Sequence, residues 1–430
     1  MSFTSSPATQ SAPPQRGWQL AVASGILGWV LDAFDFFVVI FLFDALAVRF
    51  HVSKAYIVYT LTLTLAMRPV GALLFGAIAD RFGRKWPLVL CVLYFSAMTI
   101  LSGLSTTFAM FAIFRGLYGL GMGGYWGIGA SYAMECAPVR MRGFLSGFME
   151  AGYSIGYLIV ALAIQPISAH LGWRAAFFVG APIALLIAVL AWLAPESAAW
   201  RTQRAASLRV IFRSLWSHGR LFVYLLALMA ALLCLSHGAQ DLYPDFLKSL
   251  TGLASQKILG MDLLYGIPVL YSIAATAGSM LFGYFSEKSG RRIAIVIALV
   301  LAFISVPVWA FGATAAALII GSCAMQAGIG GAWGVIPAHI NELSPASVRG
   351  LFPGFIYQLG FVIASPATMV ELRLKSAVGY SWALAGFEGA VIIFLFFLVP
   401  YGPEAHGRDF AASDSIPAYA ALNSVTLPTV

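Results

Sequence analysis

Long apolar runs recur along the whole chain, separated by short stretches rich in Arg, Lys, Gly and Asp. A helix needs about 20 mostly apolar residues to cross a bilayer, because it rises 1.5 Å per residue and satisfies its own backbone hydrogen bonds. The pattern predicts twelve such spans, near 18–47, 55–79, 86–106, 108–134, 143–168, 173–194, 221–249, 262–287, 291–311, 313–340, 350–376 and 380–401. One long polar segment, 195–220, interrupts them and carries Arg201, Arg204, Arg209, Arg213 and Arg220. It divides the chain into two sets of six, 18–194 and 221–401. Residues 1–17, rich in Ser, Pro and Gln, read as a disordered tail, and 402–430 as a second polar tail. The expected fold is therefore all-α: twelve transmembrane helices in two six-helix bundles.

Composition sharpens this. Of the 430 residues 60% are hydrophobic and only 10% charged, with a mean hydropathy of +0.88, whereas soluble domains carry about 25% charged residues. The lipid bilayer is the partner such a chain requires. Its net charge of +8 does not point to nucleic acid, because the basic residues lie between spans, where they set orientation. With both termini cytoplasmic, sixteen Arg and Lys fall inside and seven outside. Arg68 and Arg115, within spans, complete the 25. The expected location is a bacterial inner membrane. Cys91, Cys136, Cys234 and Cys323 stand far apart and suit isolated buried thiols rather than a metal site. No cleavable signal peptide is visible ahead of Trp18.

The two halves repeat. A shift of 207 residues carries Gly76, Asp80, Arg81, Gly83, Arg84 and Lys85 onto Gly283, Glu287, Lys288, Gly290, Arg291 and Arg292. It carries Gly123, Gly124, Trp126 and Gly127 onto Gly330, Gly331, Trp333 and Gly334, and Glu135, Pro138, Arg142, Gly143 and Gly147 onto Glu342, Pro345, Arg349, Gly350 and Gly354. Duplicated six-span halves imply alternating access around a cargo site at their interface, near the midplane. The glycines permit a tight turn, and the acids and arginines can latch against neighbouring helix ends. This loop, G-x-x-x-D-R-x-G-R-K, resembles the hallmark of the major facilitator superfamily. The resemblance implies a conformational role, rather than cargo binding, for these residues.

A cargo site belongs where the repeat breaks. Arg68 maps to Ala275 and Arg115 to Ser322, so both in-membrane arginines belong to the first half alone. A charge at that depth costs about 2.5–3.5 kcal/mol unless paired or in a wet cavity. Arg68 precedes Asp80 by 12 residues, about 18 Å along the helix. Its guanidinium suits either a substrate carboxylate held bidentately or an internal acid. Asp32 and Asp35 share one face of span 1 and have two available partners, Arg115 or a proton. In span 7, His237 and Asp241 are i,i+4 neighbours with Gln240 beside them, followed by Pro244, which loosens the helix. No third ligand at suitable spacing accompanies them, so metal is not expected.

Trp29–Phe37 (W-x-x-D-A-F-D-F-F), the span-2 arginine and S-H-G-x-Q-D-L-Y-P in span 7 resemble the sialate/lactate:proton symporter family, and within it the fungal Jen-type lactate and pyruvate carriers. The resemblance implies substrate and proton handling by His237, Asp241, Gln240 and Arg68, and a substrate-affecting position at Tyr357 and Gln358. Leu233, Ala239, Asp245 and Phe361 depart from that pattern, where Asn, a small hydroxyl residue, Thr and Asn are expected.

The resulting expectation is a proton-coupled symporter of a small monocarboxylate, lactate or pyruvate, acting without cofactor and as a monomer. A sialic acid or aromatic-acid carrier is the alternative within transport. Sialic acid carriers of the family tend to have two further spans, and a sugar acid calls for more hydroxyl and amide donors than these spans offer. A membrane sensor without transport is the alternative outside it. A primary pump is disfavoured by the lack of a G-x-x-x-x-G-K-[ST] loop, and no nucleophile–base arrangement suggests an enzyme. The glycine-rich span 4 reads as close helix packing.

Overall fold

The computed structural model describes residues 15–202, 207–250, 252–253, 256–258 and 260–410. Arg204 and most of both predicted tails, 1–14 and 411–430, lie outside the described residues. Span 1 is Trp18–Phe41, span 2 Lys54–Phe82, span 3 Lys85–Leu104, span 4 Phe108–Cys136, span 5 Arg142–Leu171 and span 6 Gly180–Leu193. Span 7 is Gly219–Gln240, span 8 Leu263–Ser289, span 9 Arg291–Phe311, span 10 Ala315–Leu343, span 11 Phe352–Ala364 continued by Ala367–Val378, and span 12 Tyr380–Tyr401. Eleven of the twelve are long and apolar enough to cross a membrane on composition alone. Span 4 falls short because glycines, Arg115 and Glu135 dilute it. Nearly every residue from Arg115 to Cys136 is buried against protein, so it needs no lipid-facing apolar side.

Several predicted elements are subdivided. Span 1 ends at Phe41, and a separate helix, Phe43–Phe50, follows. Span 11 breaks at Ser365–Pro366, where Pro366 offers no N–H to continue the ladder. Helices Ala198–Thr202 and Leu208–Ser217 occupy part of the central segment. A short hairpin, Lys257–Ile258 against Met261–Asp262, precedes span 8.

Packing repeats as the sequence does. Span 2 lies along span 4 and span 8 along span 10; span 1 packs on spans 5 and 6, and span 7 on spans 11 and 12. Glycine makes the tightest of these crossings. A β-carbon at Gly123 would overlap the backbone of Arg68, and one at Gly330 the backbone of Ala275, 207 residues further on in each helix.

The halves join through span 5 against spans 8 and 10, and span 11 against spans 2 and 4. Arg84 bridges Asp80 at 2.5 Å and Glu135 at 3.0 Å, and Arg291 bridges Glu287 at 3.3 Å and Glu342 at 2.9 Å. Asp80 also accepts the N–H groups of Gly350 and Leu351, at 2.7 and 3.0 Å, capping the start of span 11 across the interface. In the mirror position Glu287 accepts from Gly143 N–H. Arg349 approaches Glu135 at 3.7 Å. Gly83 and Gly290, at φ 114° and 86°, make the turns that bring Arg84 and Arg291 inward. Arg81 and Lys288 instead lie over Phe82 and Tyr284, and Lys85 over Trp86. Arg292 donates to Val399 and Pro400 carbonyls. Gly76 packs on Leu351.

The segment after span 12 closes this face further. Phe410, 2% exposed, is gripped between the guanidiniums of Arg142 and Arg349, at 3.7 and 4.2 Å from its ring. Arg142 donates to Arg408 O, and Arg408 donates to Glu342 O. The described ends of the chain meet the central segment and span 10 on this face, where Gln15 donates to Glu196 O and Arg408 to Glu342 O.

Candidate functional site

Arg68 lies where span 2 is drawn against span 4 at Gly123. Its side chain is buried, with the guanidinium over the rings of Phe361 at 4.8 Å and Tyr357 at 5.6 Å. Nε and Nη2 have no hydrogen-bond partner among the described residues. Tyr357 is stacked on Trp126 at 4.6 Å and meets Trp333 edge-on at 5.9 Å. The two tryptophans related by the 207-residue repeat thus flank one tyrosine. Trp126 Nε1 donates to Glu150 at 3.0 Å, and Trp333 Nε1 to Ser236 at 2.6 Å. An aromatic wall with a fixed cation in it suits a small planar carboxylate.

Across Phe361 stands the second-half cluster. His237 packs edge-on against that ring at 5.0 Å. Its Nδ1 lies 3.3 Å from Asp241, whose Oδ2 also accepts from Thr368 at 2.9 Å. Both side chains are partly exposed, 34% and 40%. Gln240 donates to Gln326 at 3.0 Å, and Gln358, buried at the span-4 interface, donates to Gly123 O at 3.3 Å. Arg68, Phe361, His237 and Asp241 therefore form one continuous row.

Asp32, Asp35 and Arg115 lie behind this row, all fully buried. Tyr118 donates to Asp32 O at 3.0 Å, and Thr99 to Asp35 Oδ2 at 3.1 Å. One oxygen of each acid has no partner. The expected contact between Arg115 and these acids is not made: its nitrogens have no hydrogen-bond partner, and the guanidinium rests over the Tyr118 ring at 3.9 Å. Tyr118 stands between the charges, bonded to Asp32 and stacked under Arg115, so the attraction acts through space.

Sequence reasoning passed over several neighbours. Glu150 stands where the repeat puts Tyr357, the same kind of break that singled out Arg68. Glu196 accepts from the N–H groups of Arg84 and Lys85, and Glu404 from that of Arg292. Their signal was the Pro-Glu pair at 195–196 and again at 403–404, one residue out of the 207 register. Glu371 and Glu388 stand where the same shift has Ile164 and Ala181, and Thr368 where it has Ala161.

The profile of the Major Facilitator Superfamily matches residues 25–368. The chain belongs to the major facilitator superfamily. Like the superfamily's other members compared with it, it is a multi-pass membrane transporter rather than an enzyme. It is 29% identical to the "Carboxylic acid transporter protein homolog" of Saccharomyces cerevisiae over 90% of this chain and 68% of that protein. It is also 29% identical to the Escherichia coli sialic acid transporter NanX, over 91% of this chain and 96% of NanX. Among solved structures, the proton:xylose symporter XylE superposes with a TM-score of 0.71 at 19% identity, covering 94% of this chain and 98% of XylE. Human organic anion transporter MFSD10 does so at 0.66 and 17%, covering 90% and 100%. These two establish the facilitator fold. The near-complete coverage of NanX removes the argument that a sialic acid carrier needs two more spans than this chain has.

Proposed function

We propose that this transporter carries a small monocarboxylate of the lactate and pyruvate class together with a proton, by alternating access. Transport of organic acids is the coarser activity its relatives support. The observation that carries the finer reading is Arg68, a buried guanidinium with two unpaired nitrogens set among Tyr357, Phe361 and Trp126. A small anion supplies the missing charge and lies flat against the rings. Phe361 is what favours a compact, weakly hydroxylated acid, because it presents a ring where a polar cargo would require hydrogen bonds.

Symport follows from charge. When the anion leaves, Arg68 needs an internal carboxylate before the cleft can close, and Asp32 is the acid whose field reaches it. Protonation of an acid of this set frees Arg68 for cargo, so anion and proton bind cooperatively. Asp241, with His237, is the proton acceptor most open to the cleft. On this reading the carrier works as a monomer in a bacterial inner membrane with both termini cytoplasmic, and the conformation described here is open to the outside.

A sialic acid carrier is the second reading, favoured by the full-length likeness to NanX. Counterflow into proteoliposomes, with labelled lactate, pyruvate, acetate, an aromatic acid and sialic acid, separates the two. Exchange confined to the small monocarboxylates supports the first reading; exchange of sialic acid alone replaces it.

A further inference from the structure

Two glutamates of the second half stand outside the row described above. Glu371, in the second segment of span 11, and Glu388, in span 12, are both fully buried. Among the described residues, none of their four carboxylate oxygens has a hydrogen-bond partner. An ionised carboxylate in this setting is desolvated with no compensating cation among the described residues, which favours taking up a proton.

Their position ties them to the cleft. A β-carbon at Gly238 would overlap Glu388 Oε1 and the Phe387 ring, so span 7 is held against span 12 between His237 and Asp241. Span 7 also packs on the segment Ala367–Val378. From that segment Thr368 donates to Asp241, and Glu371 follows it three residues later on the same face. The groups acting on the pair are Asp241 on Glu371, Glu371 on Glu388, and the nearby Cys234, which feels both glutamates. None is basic. Lys375, on the segment of Glu371, is bonded to Tyr380 OH at 2.7 Å.

We propose that Glu371 and Glu388 form a proton site of the second half, filled from the open cleft through Asp241 and Thr368. This rests on the symport reading. The O–H bond of a cleft hydronium breaks, one forms on a carboxylate oxygen, and no electron is exchanged. A hard metal cation is a poor occupant, since it collects about six oxygen ligands and the pair with Cys234 supplies two carboxyls and a thiol. The site lies beside Gly238, on the flank of the helix face that carries His237 and Asp241. Loading it therefore removes a negative charge from beside the cargo cleft without occupying the cleft.

The test uses the purified full-length wild type, Glu371→Gln and Glu388→Gln in lipid. Infrared difference spectra between acidic and alkaline pH, without cargo, report protonated carboxyl groups directly. The expected result is a carboxyl band that each substitution diminishes. With one proton per anion, a gradient of about two pH units supports about 100-fold accumulation, and both variants are expected to fall to the external concentration. Unchanged infrared bands in both variants, together with wild-type accumulation, would overturn the site, as would accumulation driven by sodium alone. Wild-type counterflow of lactate tests the transport reading separately. If it is absent, the symport reading fails while the infrared result still decides the glutamates.

Discussion

Arg68 is expensive where it stands: a cation at mid-membrane costs about 2.5–3.5 kcal/mol, and two of its nitrogens have no partner. Arg68→Lys keeps the charge but loses the planar fork. A charged hydrogen bond contributes about 1.5–3 kcal/mol, so the apparent affinity for lactate is expected to fall about 10- to 100-fold, read as the half-saturation of counterflow. An unchanged value would remove Arg68 from the cargo site. Phe361 makes the opposite kind of prediction. Its ring separates Arg68 from His237, and Phe361→Asn opens a polar slot there. Competition by hydroxylated acids should rise relative to lactate; an unaltered competition order would show that the ring does not select cargo. Arg68 and Asp241 were legible because each breaks a local rule, a charge in an apolar run or a histidine one turn from an acid. Glu150, Thr368 and the Arg115–Tyr118 stacking were not, because they depend on which helices touch.

At the level of elements, matched ion pairs hold the joined face. Arg84, with Asp80 and Glu135 beside it, ties span 2 to the start of span 11 through the bonds from Gly350 and Leu351. Arg84→Ala is expected to slow gradient-driven uptake several-fold while leaving the equilibrium affinity for cargo near the wild-type value, since the bridge is remote from Arg68. Lost affinity with unchanged turnover would contradict the latch. Phe410 acts on the same face from the tail, clamped between Arg142 and Arg349. Phe410→Ala loosens a contact that must part whenever this face opens. Faster counterflow is the expected outcome, and a rate equal to wild type would assign the ring to packing alone. The sequence repeat singled out which acids and arginines stand on this face, because they match at one offset. It could not foretell that Arg84 rather than Arg81 turns inward, which Gly83 decides through its backbone.

For the whole molecule, the fold was the most legible property. Twelve runs of span length, a central polar segment and a 207-residue repeat leave few alternatives to two pseudo-symmetric bundles, and the superposition on XylE agrees. What hydropathy missed was internal irregularity: the break at Ser365–Pro366, the helix Phe43–Phe50 and the helices of the central segment. Those are set by local backbone chemistry and by surfaces formed only after packing. The central claim concerns coupling, and driven accumulation tests it most directly. Proteoliposomes holding the wild-type protein receive labelled lactate or pyruvate under a pH gradient, alkaline inside, with and without a protonophore. Accumulation above the external concentration that the protonophore abolishes is the predicted result. Equilibration that ignores the gradient, in a preparation active for counterflow of the same acid, would contradict proton symport.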